Sequence, residues 1–249
     1  MHAVVLAALL LISAPSRLDV ILERGHILVG MTGDYRPFSY LREDGTFEGL
    51  DVEAARSLAG ALGVDVRFVK TSWPTLVQGI LEGRYDIAMS GVTRTLERQK
   101  VVGLSDGYLS IGKCTLIRAS DQDRFTGLEA IDQPGIRVGV NPGGTNERFV
   151  RAHISKAEIV VIENNLAIPE AVATGRVDVM ITDNVEAVLA ARRDPRLHAV
   201  APDRPLTSEE LSYMIPRDDP VFLNWINLWL HQMELDGNLD SLRDRWTGR

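Results

Sequence analysis

The sequence has a single cysteine, Cys114, among its 249 residues, so an internal disulfide bond is excluded. It has no excess of basic residues either: 27 Lys and Arg stand against 34 Asp and Glu, and the formal net charge is -7. An acidic chain without a long basic run is poorly suited to bind nucleic acid. We therefore expect a small-molecule partner and no nucleic acid, with Cys114 as a small buried apolar residue.

Signatures of metal sites and of nucleophilic catalysis are also missing. The five histidines, at positions 2, 26, 153, 198 and 231, lack the spacing of metal ligands, so we expect no metal. There is no G-x-S-x-G motif, and Cys114 has no histidine near it in sequence. The glycine-rich segment at 141–146 is neither a Walker A motif nor G-x-G-x-x-G, and no cofactor is expected.

No apolar stretch is long enough to cross a bilayer, which needs about 20 residues. An apolar run covers residues 3–12, and the small-residue segment 13–16 follows it. This order is typical of a secretory signal peptide, although His2 stands where Lys or Arg is usual. We expect residues 1–16 to be a signal peptide and the protein to be periplasmic, without stable membrane association.

Short apolar runs alternate along the chain with segments of helical apolar spacing. Strands are predicted at 26–31, 64–69, 86–90, 112–117, 136–140, 158–162, 177–182, 197–201 and 211–215. Helices are predicted at 17–23, 50–62, 72–82, 95–101, 147–154, 166–174, 183–193, 220–236 and 239–246. This alternation indicates an α/β fold with largely parallel sheets, either as one large domain or as two lobes.

The strand predicted at 177–182 runs directly into a helix, with Asp183 and Glu186 at the junction. In open α/β sheets, ligands bind beyond the carboxyl ends of the strands, so the two carboxylates are candidates for a site. The same spacing also fits a capping box, with Asp183 as N-cap and Glu186 three residues later. The local sequence leaves both interpretations open.

Two further segments have residues suited to binding an anion. Arg98 offers a bidentate fork to a carboxylate, with the Thr93 hydroxyl nearby. The alternative is an exposed helix arginine paired with an acid. The loop 141–146 opens a helix whose free N–H groups attract anions. The alternative is a tight turn in which Thr145 or Asn146 caps the helix.

Three more side chains have two interpretations each. Tyr35 and Trp73 are suited to border a flat ligand, but core packing is the commoner place for an aromatic ring. Lys113 lies near the predicted exit from the first half of the chain, where it would add positive charge to a cleft. The alternative for Lys113 is an exposed surface lysine.

Taken together, the motifs resemble those of the type 2 periplasmic solute-binding proteins of the polar amino-acid class. The segments that carry this resemblance are SGVTRTLER at 90–98, LSDGY at 104–108 and DVMITD at 178–183. The resemblance covers essentially all of the chain after residue 16. It implies two α/β lobes, 17–110 plus 210–249 and 111–209, which two crossing segments join, with the ligand in the cleft between them.

Within that family, a closer resemblance is to the cyclohexadienyl dehydratases, exported enzymes that act on prephenate and arogenate. It rests on TGDYRPFSY at 32–40, TSWP at 71–74, MSG at 89–91, LERQ at 96–99, GK at 112–113, IDQPG at 131–135 and NPGGTNE at 141–147. Thr182 and Asp183 followed by Glu186 match the position of that group's catalytic glutamate. Amino-acid binders normally carry a non-acidic residue there, so Glu186 is the residue that distinguishes the two.

The resemblance implies a carbon–oxygen lyase in which Glu186 is the general acid. The alternative is a non-enzymatic periplasmic binding protein of an ABC transporter, for an amino acid or another carboxylate. Arg98 is implied to bind a ligand carboxylate, Asp183 an ammonium, and Trp73 and Tyr35 to border the ring. The other implied substrate-binding residues are Ser90, Thr93, Lys113, Asn141, Thr145 and Asn146. Homo-oligomer formation is left open.

Overall fold

The computed structural model describes residues 15–248. The helices are α1 (Arg17–Arg24), α2 (Leu50–Leu62), α3 (Leu76–Leu81), α4 (Leu96–Gln99), α5 (Leu128–Ile131), α6 (Thr145–His153), α7 (Ile168–Ala173), α8 (Asn184–Arg193), α9 (Pro220–Leu235) and α10 (Asn238–Thr247). The strands are β1 (His26–Met31), β2 (Asp34–Tyr35), β3 (Ser39–Leu41), β4 (Phe47–Glu48), β5 (Asp65–Lys70), β6 (Ile87–Thr93), β7 (Gly103–Leu104), β8 (Leu109–Ile111), β9 (Lys113–Arg118), β10 (Arg137–Val140), β11 (Glu158–Val161), β12 (Val179–Asp183), β13 (Leu197–Val200) and β14 (Glu209–Ile215).

The predicted signal peptide at 1–16 lies outside the described residues, apart from Pro15 and Ser16. Ser16 caps α1, because its hydroxyl accepts a hydrogen bond from the backbone N–H of Leu18. Over residues 15–248, the helices are too short or too polar for any of them to cross a membrane.

The first sheet has the strand order β5-β1-β6-β14-β7, and β8 pairs with β14. β1 runs parallel to β5 and β6, whereas β14 is antiparallel to β6, β7 and β8. Every residue of the central strand β6 is buried, as the apolar and small side chains of its sequence require. The returning strand β14 thus adds an antiparallel element to the largely parallel sheet that the sequence predicts.

The second sheet has the order β11-β10-β12-β9-β13. β10 is parallel to β11 and β12, whereas β9 is antiparallel to β12 and β13. Successive side chains of a strand point to opposite faces, and one apolar cluster therefore contains Leu116 and Met180 while another contains Ile117 and Ile181. Both faces of this sheet are covered by apolar residues, which confirms the predicted α/β architecture.

Strand β6 is longer than the predicted strand at 86–90 and ends at Thr93. The chain passes through Gly91 with a φ of 63°, a conformation that favours glycine. A Cβ atom at Gly91 would lie 2.4 Å from the ring of Tyr35. Glycine at this position therefore lets the ring of Tyr35 pack against the strand, which continues to Thr93.

A small sheet of β2, β3 and β4 lies in a region where the sequence predicts neither a helix nor a strand. β2 pairs with β3 and β3 pairs with β4, so the sequence prediction missed these three strands. Strands of two or three residues are too short to show an alternating apolar pattern, because that signal needs at least four residues. This small sheet contains Asp34 and Tyr35, and the ring of Tyr35 packs against β6 at Gly91.

The chain leaves the first sheet after β8 and enters the second sheet at β9, with Gly112 between them. It returns before β14, and the two crossing segments contact each other: Leu206 donates its backbone N–H to the carbonyl of Lys113 (2.7 Å). A Cβ atom at Gly112 would lie 2.0 Å from the Thr207 carbonyl, so the close approach requires glycine. We propose the lobe boundaries at these crossings, with lobe 1 as 17–110 plus 210–249 and lobe 2 as 111–209.

Candidate active site

A cavity lies between the two sheets, where the loops after β1, β6, β10 and β12 meet. Seven of the predicted site residues line it: Tyr35, Trp73, Thr93, Asn141, Thr145, Asn146 and Asp183. Gly91, Gly144 and Asn165 complete the lining. Residues that are far apart in sequence thus form one site, as expected at the carboxyl ends of parallel strands.

The corner between β12 and α8 does not form the capping box that its spacing allows. Asp183 is the N-cap residue, but its side chain makes no capping hydrogen bond. Its carboxylate instead accepts hydrogen bonds from Lys113 Nζ (2.6 Å) and from the Tyr35 hydroxyl. Glu186 accepts from the Thr182 hydroxyl and from Asn165 Nδ2 (2.7 Å). The capping interpretation is wrong because both carboxylates accept hydrogen bonds from side chains and neither caps a backbone N–H group of the helix start.

Glu186 is only 6% exposed, and its carboxyl group lies behind the cavity wall that Asn165 and Asp183 form. Burial raises the pKa of Glu186 to about 8, and the nearby negative charges of Asp183 and Asp34 act in the same direction. The hydrogen bonds from Thr182 and Asn165 favour the ionised form but do not offset burial. Glu186 is therefore mainly protonated at neutral pH and has a proton to donate.

Lys113 is fully buried, so its interpretation as a surface lysine is wrong. Its ammonium lies 2.6 Å from Asp183 and 3.3 Å from Glu209, and it donates to the Thr145 hydroxyl at 3.0 Å. A buried ammonium needs opposite charges and hydrogen-bond acceptors to compensate for lost hydration. The two carboxylates and the hydroxyl provide both, and they hold Lys113 beside the cavity.

Arg98 is 6% exposed, which excludes its interpretation as a surface residue. Its guanidinium donates to the carbonyl of Thr93 (2.7 Å), a residue that lines the cavity. No carboxylate of residues 15–248 forms an ion pair with it. Burial lowers the pKa of Arg98 to about 10, so it remains charged at neutral pH and retains N–H donors for a ligand carboxylate.

Two aromatic rings form one wall of the cavity. The rings of Tyr35 and Trp73 meet edge to face, with centroids 5.6 Å apart. The indole N–H of Trp73 donates to Asp34 Oδ1 at 2.9 Å, and the Tyr35 hydroxyl donates to Asp183. Both rings are thus held by polar contacts at their edges while they border the cavity.

The glycine-rich loop before α6 also has a different role from the capping alternative. The helix begins at Thr145 with Gly144 as N-cap, and no side chain caps it. The Thr145 hydroxyl lies 3.1 Å from that of Thr93, and Asn146 Nδ2 donates to the Thr182 hydroxyl at 3.1 Å. The buried Oδ1 of Asn146 has no hydrogen-bond partner among the described residues. The side chains of Thr145 and Asn146 thus line the cavity and do not cap the helix.

The structure does not bring the predicted site residue Ser90 to the cavity. Its hydroxyl is fully buried and lies within hydrogen-bond distance of the hydroxyls of Ser39 (2.6 Å) and Thr32 (2.9 Å). It therefore supports the loops behind the cavity wall. Conversely, sequence reasoning missed Asn165, whose only local signal is a polar pair before a predicted helix.

Comparison with known proteins identifies a family and similar proteins for this chain. Residues 27–249 match the family of bacterial extracellular solute-binding proteins, family 3. The chain is similar to a cyclohexadienyl dehydratase from Pseudomonas aeruginosa, with 44% identity over 97% of this chain and 90% of the relative.

Two solved structures of reconstructed ancestral proteins are also similar to this chain. One is an amino-acid-binding precursor of cyclohexadienyl dehydratase, with 38% identity, a TM-score of 0.88, and coverage of 93% of this chain and 100% of that one. The other is an ancestral cyclohexadienyl dehydratase, with 51% identity, a TM-score of 0.60, and coverage of 95% and 98%. From the family match over nearly its whole length, this chain belongs to family 3 of the bacterial extracellular solute-binding proteins.

Proposed function

We propose that the protein is a cyclohexadienyl dehydratase that converts prephenate to phenylpyruvate, arogenate to phenylalanine, or both. The observation that carries this proposal is Glu186, a buried carboxyl group beside the cleft cavity with a pKa raised to about 8. A protein that only binds amino acids has no need of a proton donor at this position. The similarity to dehydratases at 44% and 51% identity supports the same reaction.

The chemistry needs one proton donor and a cleft that holds the substrate. In prephenate the bond between the ring and its carboxylate breaks, CO2 leaves, and the bonding electrons make the ring aromatic. The ring hydroxyl takes the proton of Glu186 and leaves as water. Glu186 ends each turnover as a carboxylate and regains its proton from solvent. No general base is required, because the electrons come from the breaking carbon–carbon bond.

We assign the holding of substrate to the polar residues around the cavity. Arg98, Thr93, Thr145 and Asn146 bind the two carboxylates, and Asn141 also lines the cavity. Tyr35 and Trp73 border the ring. Asp183 is the partner for the ammonium of arogenate, although Lys113 already lies against it. This neutralised aspartate makes the site more suitable for the keto acid prephenate than a free aspartate would.

We also propose a periplasmic location, which rests on the extracellular character of the family and on the signal-like residues 1–16. In that compartment the enzyme would contribute to phenylalanine biosynthesis. Its partners would be the small-molecule substrates, and the fold has the two-lobed form that family members use to enclose a ligand.

The deciding experiment is a direct assay of the purified protein with prephenate, followed by the absorbance of phenylpyruvate. We expect turnover in the unmodified protein and its loss in Glu186→Gln. Tight binding of an amino acid, measured by calorimetry, without turnover of prephenate or arogenate would support the transporter-associated binding protein instead.

A further inference from the structure

Asn165 lies in the turn just before α7 and connects the two lobes at the candidate acid. It is 2% exposed and lines the cavity. Its side-chain Nδ2 donates one hydrogen bond to the backbone carbonyl of Asp34 (3.1 Å) and another to Glu186 Oε1 (2.7 Å). The first acceptor belongs to lobe 1 and the second to lobe 2. The NH2 group of Asn165 therefore links Asp34 in lobe 1 to the carboxyl group of Glu186 in lobe 2.

This contact decides which oxygen of Glu186 carries the proton. The amide nitrogen has hydrogen atoms to donate but no lone pair to accept, and both of its partners are acceptors, which settles the orientation of the amide. Glu186 Oε1 is therefore an acceptor in either ionisation state. A carbonyl oxygen accepts a hydrogen bond more strongly than the hydroxyl oxygen of a carboxylic acid, so the contact with Asn165 favours the proton on Oε2. That oxygen lies against the hydroxyl of Thr182, which accepts the bond in the acid form.

We propose that Asn165 is a positioning residue, which fixes the orientation of Glu186 and its protonated oxygen and makes this arrangement depend on the closed contact between the lobes. The proposal rests on the general-acid role of Glu186 proposed above. The remaining atom of the amide, Oδ1, is buried and has no partner among residues 15–248. A buried acceptor of this kind at the cavity wall is suited to receive a hydroxyl or N–H group of the substrate.

Other groups around Glu186 act on its charge as well. Asp183 lies on the same corner, and Asp34 and Tyr35 face it from lobe 1. Glu186 also borders a groove on its other side, whose charged residues are Arg36, Glu170, Arg193 and Asp194. None of these groups is altered by Asn165→Leu, which adds no charge, so a change in the titration of Glu186 in that variant reports the lost hydrogen bond.

The test compares Asn165→Leu and Asn165→Asp with the control Asn164→Ala. Leucine removes the donor without adding a charge, whereas aspartate keeps the shape but replaces the NH2 group by an oxygen and adds a carboxylate beside Glu186. Asn164 is exposed and sits in the same turn without contacting Glu186. We expect kcat for prephenate to fall about 10- to 100-fold in both Asn165 variants, the usual cost of a misplaced catalytic group, with a smaller change in KM. The control should stay near the unmodified protein.

A second measurement does not depend on turnover. Carbon-13 NMR of the glutamate carboxyl groups, with the Glu186 signal assigned by its absence in Glu186→Gln, follows the ionisation of Glu186 directly. We expect its pKa to be higher in Asn165→Leu than in the unmodified protein, because a donor that favours the carboxylate is lost. An unchanged titration in folded Asn165→Leu would overturn the proposal, even if activity fell.

The two proposals can fail separately. If the unmodified protein has no dehydratase activity but the Glu186 titration moves in Asn165→Leu, the proposed function is wrong and the positioning role stands. If the protein is active and both kcat and the titration are unchanged in the Asn165 variants, the positioning role is wrong. Should Asn165→Leu fail to fold, the isosteric Asn165→Asp carries the kinetic test, and unchanged kcat there overturns the proposal.

Discussion

The ammonium of Lys113 lies 2.6 Å from the carboxylate of Asp183, and both side chains are buried at the floor of the cleft. Lys113 starts β9 and Asp183 ends β12, and the two residues are paired in the antiparallel register of these strands. The sheet thus forces together two residues that are far apart in sequence. It places a neutralising positive charge beside the aspartate that we propose as the partner of a ligand ammonium.

Replacing Lys113 tests this neutralisation. We expect Lys113→Met to lower the free energy of unfolding by about 3–5 kcal/mol, because Asp183 would be left buried without its partner. It should also raise the ratio of kcat/KM for arogenate over that for prephenate, since the freed aspartate attracts an ammonium. Urea denaturation and parallel assays measure the two effects.

The double variant Lys113→Met with Asp183→Asn is the matched control. It removes both charges, and we expect it to recover much of the lost stability and to abolish the gain for arogenate. A single variant that favours prephenate more strongly than the unmodified protein would contradict the role assigned to Lys113.

Glu186→Gln tests the general acid. The amide has the same size but no acidic proton, so turnover should fall by at least about 100-fold while prephenate still binds. Stopped assays give the rate and calorimetry gives the affinity. Glu234→Gln, which alters an exposed acid of α9 that pairs with Arg243, is the control and should keep normal activity. Near-normal turnover in Glu186→Gln would remove the acid assignment.

The ionisation of Glu186 predicts a pH dependence of the reaction. The acid form is the active one, and its population decreases as the pH rises through about 8. We therefore expect kcat to be constant at neutral pH and to decline at alkaline pH, with the midpoint near the pKa of Glu186 in the complex with substrate. A rate that increases across this range would show that Glu186 acts in its charged form instead.

Arg98→Ala tests the carboxylate-binding arginine. Loss of charge-assisted hydrogen bonds worth about 1.5–3 kcal/mol should weaken prephenate binding about 10- to 100-fold. The affinity of Glu186→Gln, with and without Arg98→Ala, measures this without interference from turnover. Arg94→Ala is the control, because Arg94 pairs with Asp106 and Glu210 at the surface. Equal affinity in the two backgrounds would return Arg98 to a structural role.

A second buried carboxyl, Asp51, affects stability rather than chemistry. It accepts hydrogen bonds from the N–H of Gly91 (2.5 Å) and the hydroxyl of Tyr108 (3.0 Å), and burial raises its pKa to about 7. The folded state therefore binds this proton more tightly than the unfolded state. Its contribution to stability is complete below the unfolded pKa near 3.8 and is lost as the pH rises through about 7.

We expect the free energy of unfolding to decrease from about pH 4 to pH 7 and this slope to be smaller in Asp51→Asn. Glu186 acts with the same sign, so the comparison belongs in a Glu186→Gln background. Urea titrations at several pH values measure the slope. An equal slope with and without Asp51 would show that this carboxyl is already ionised in the folded protein.

Local features of the fold could be predicted because they depend on neighbours in sequence. Helix α2 has the predicted bounds of residues 50–62, and Gly63 ends it in the left-handed conformation with φ of 68°. Strand β1 also has its predicted bounds of residues 26–31. The short strands β2, β3 and β4 escaped prediction, because their stability comes from pairing and from packing on the first sheet rather than from periodicity.

The sequence by itself determined the α/β class, the two-lobed family and the presence of a distinguishing acid at position 186. It left open whether Glu186 and Asp183 cap a helix, whether Lys113 and Arg98 are exposed, and which groups Asn165 contacts. Only the tertiary structure decided these points. Burial, ion pairing and pKa depend on which groups the two lobes bring within a few ångströms, and that distance is set by sheet register and lobe contact rather than by separation along the chain.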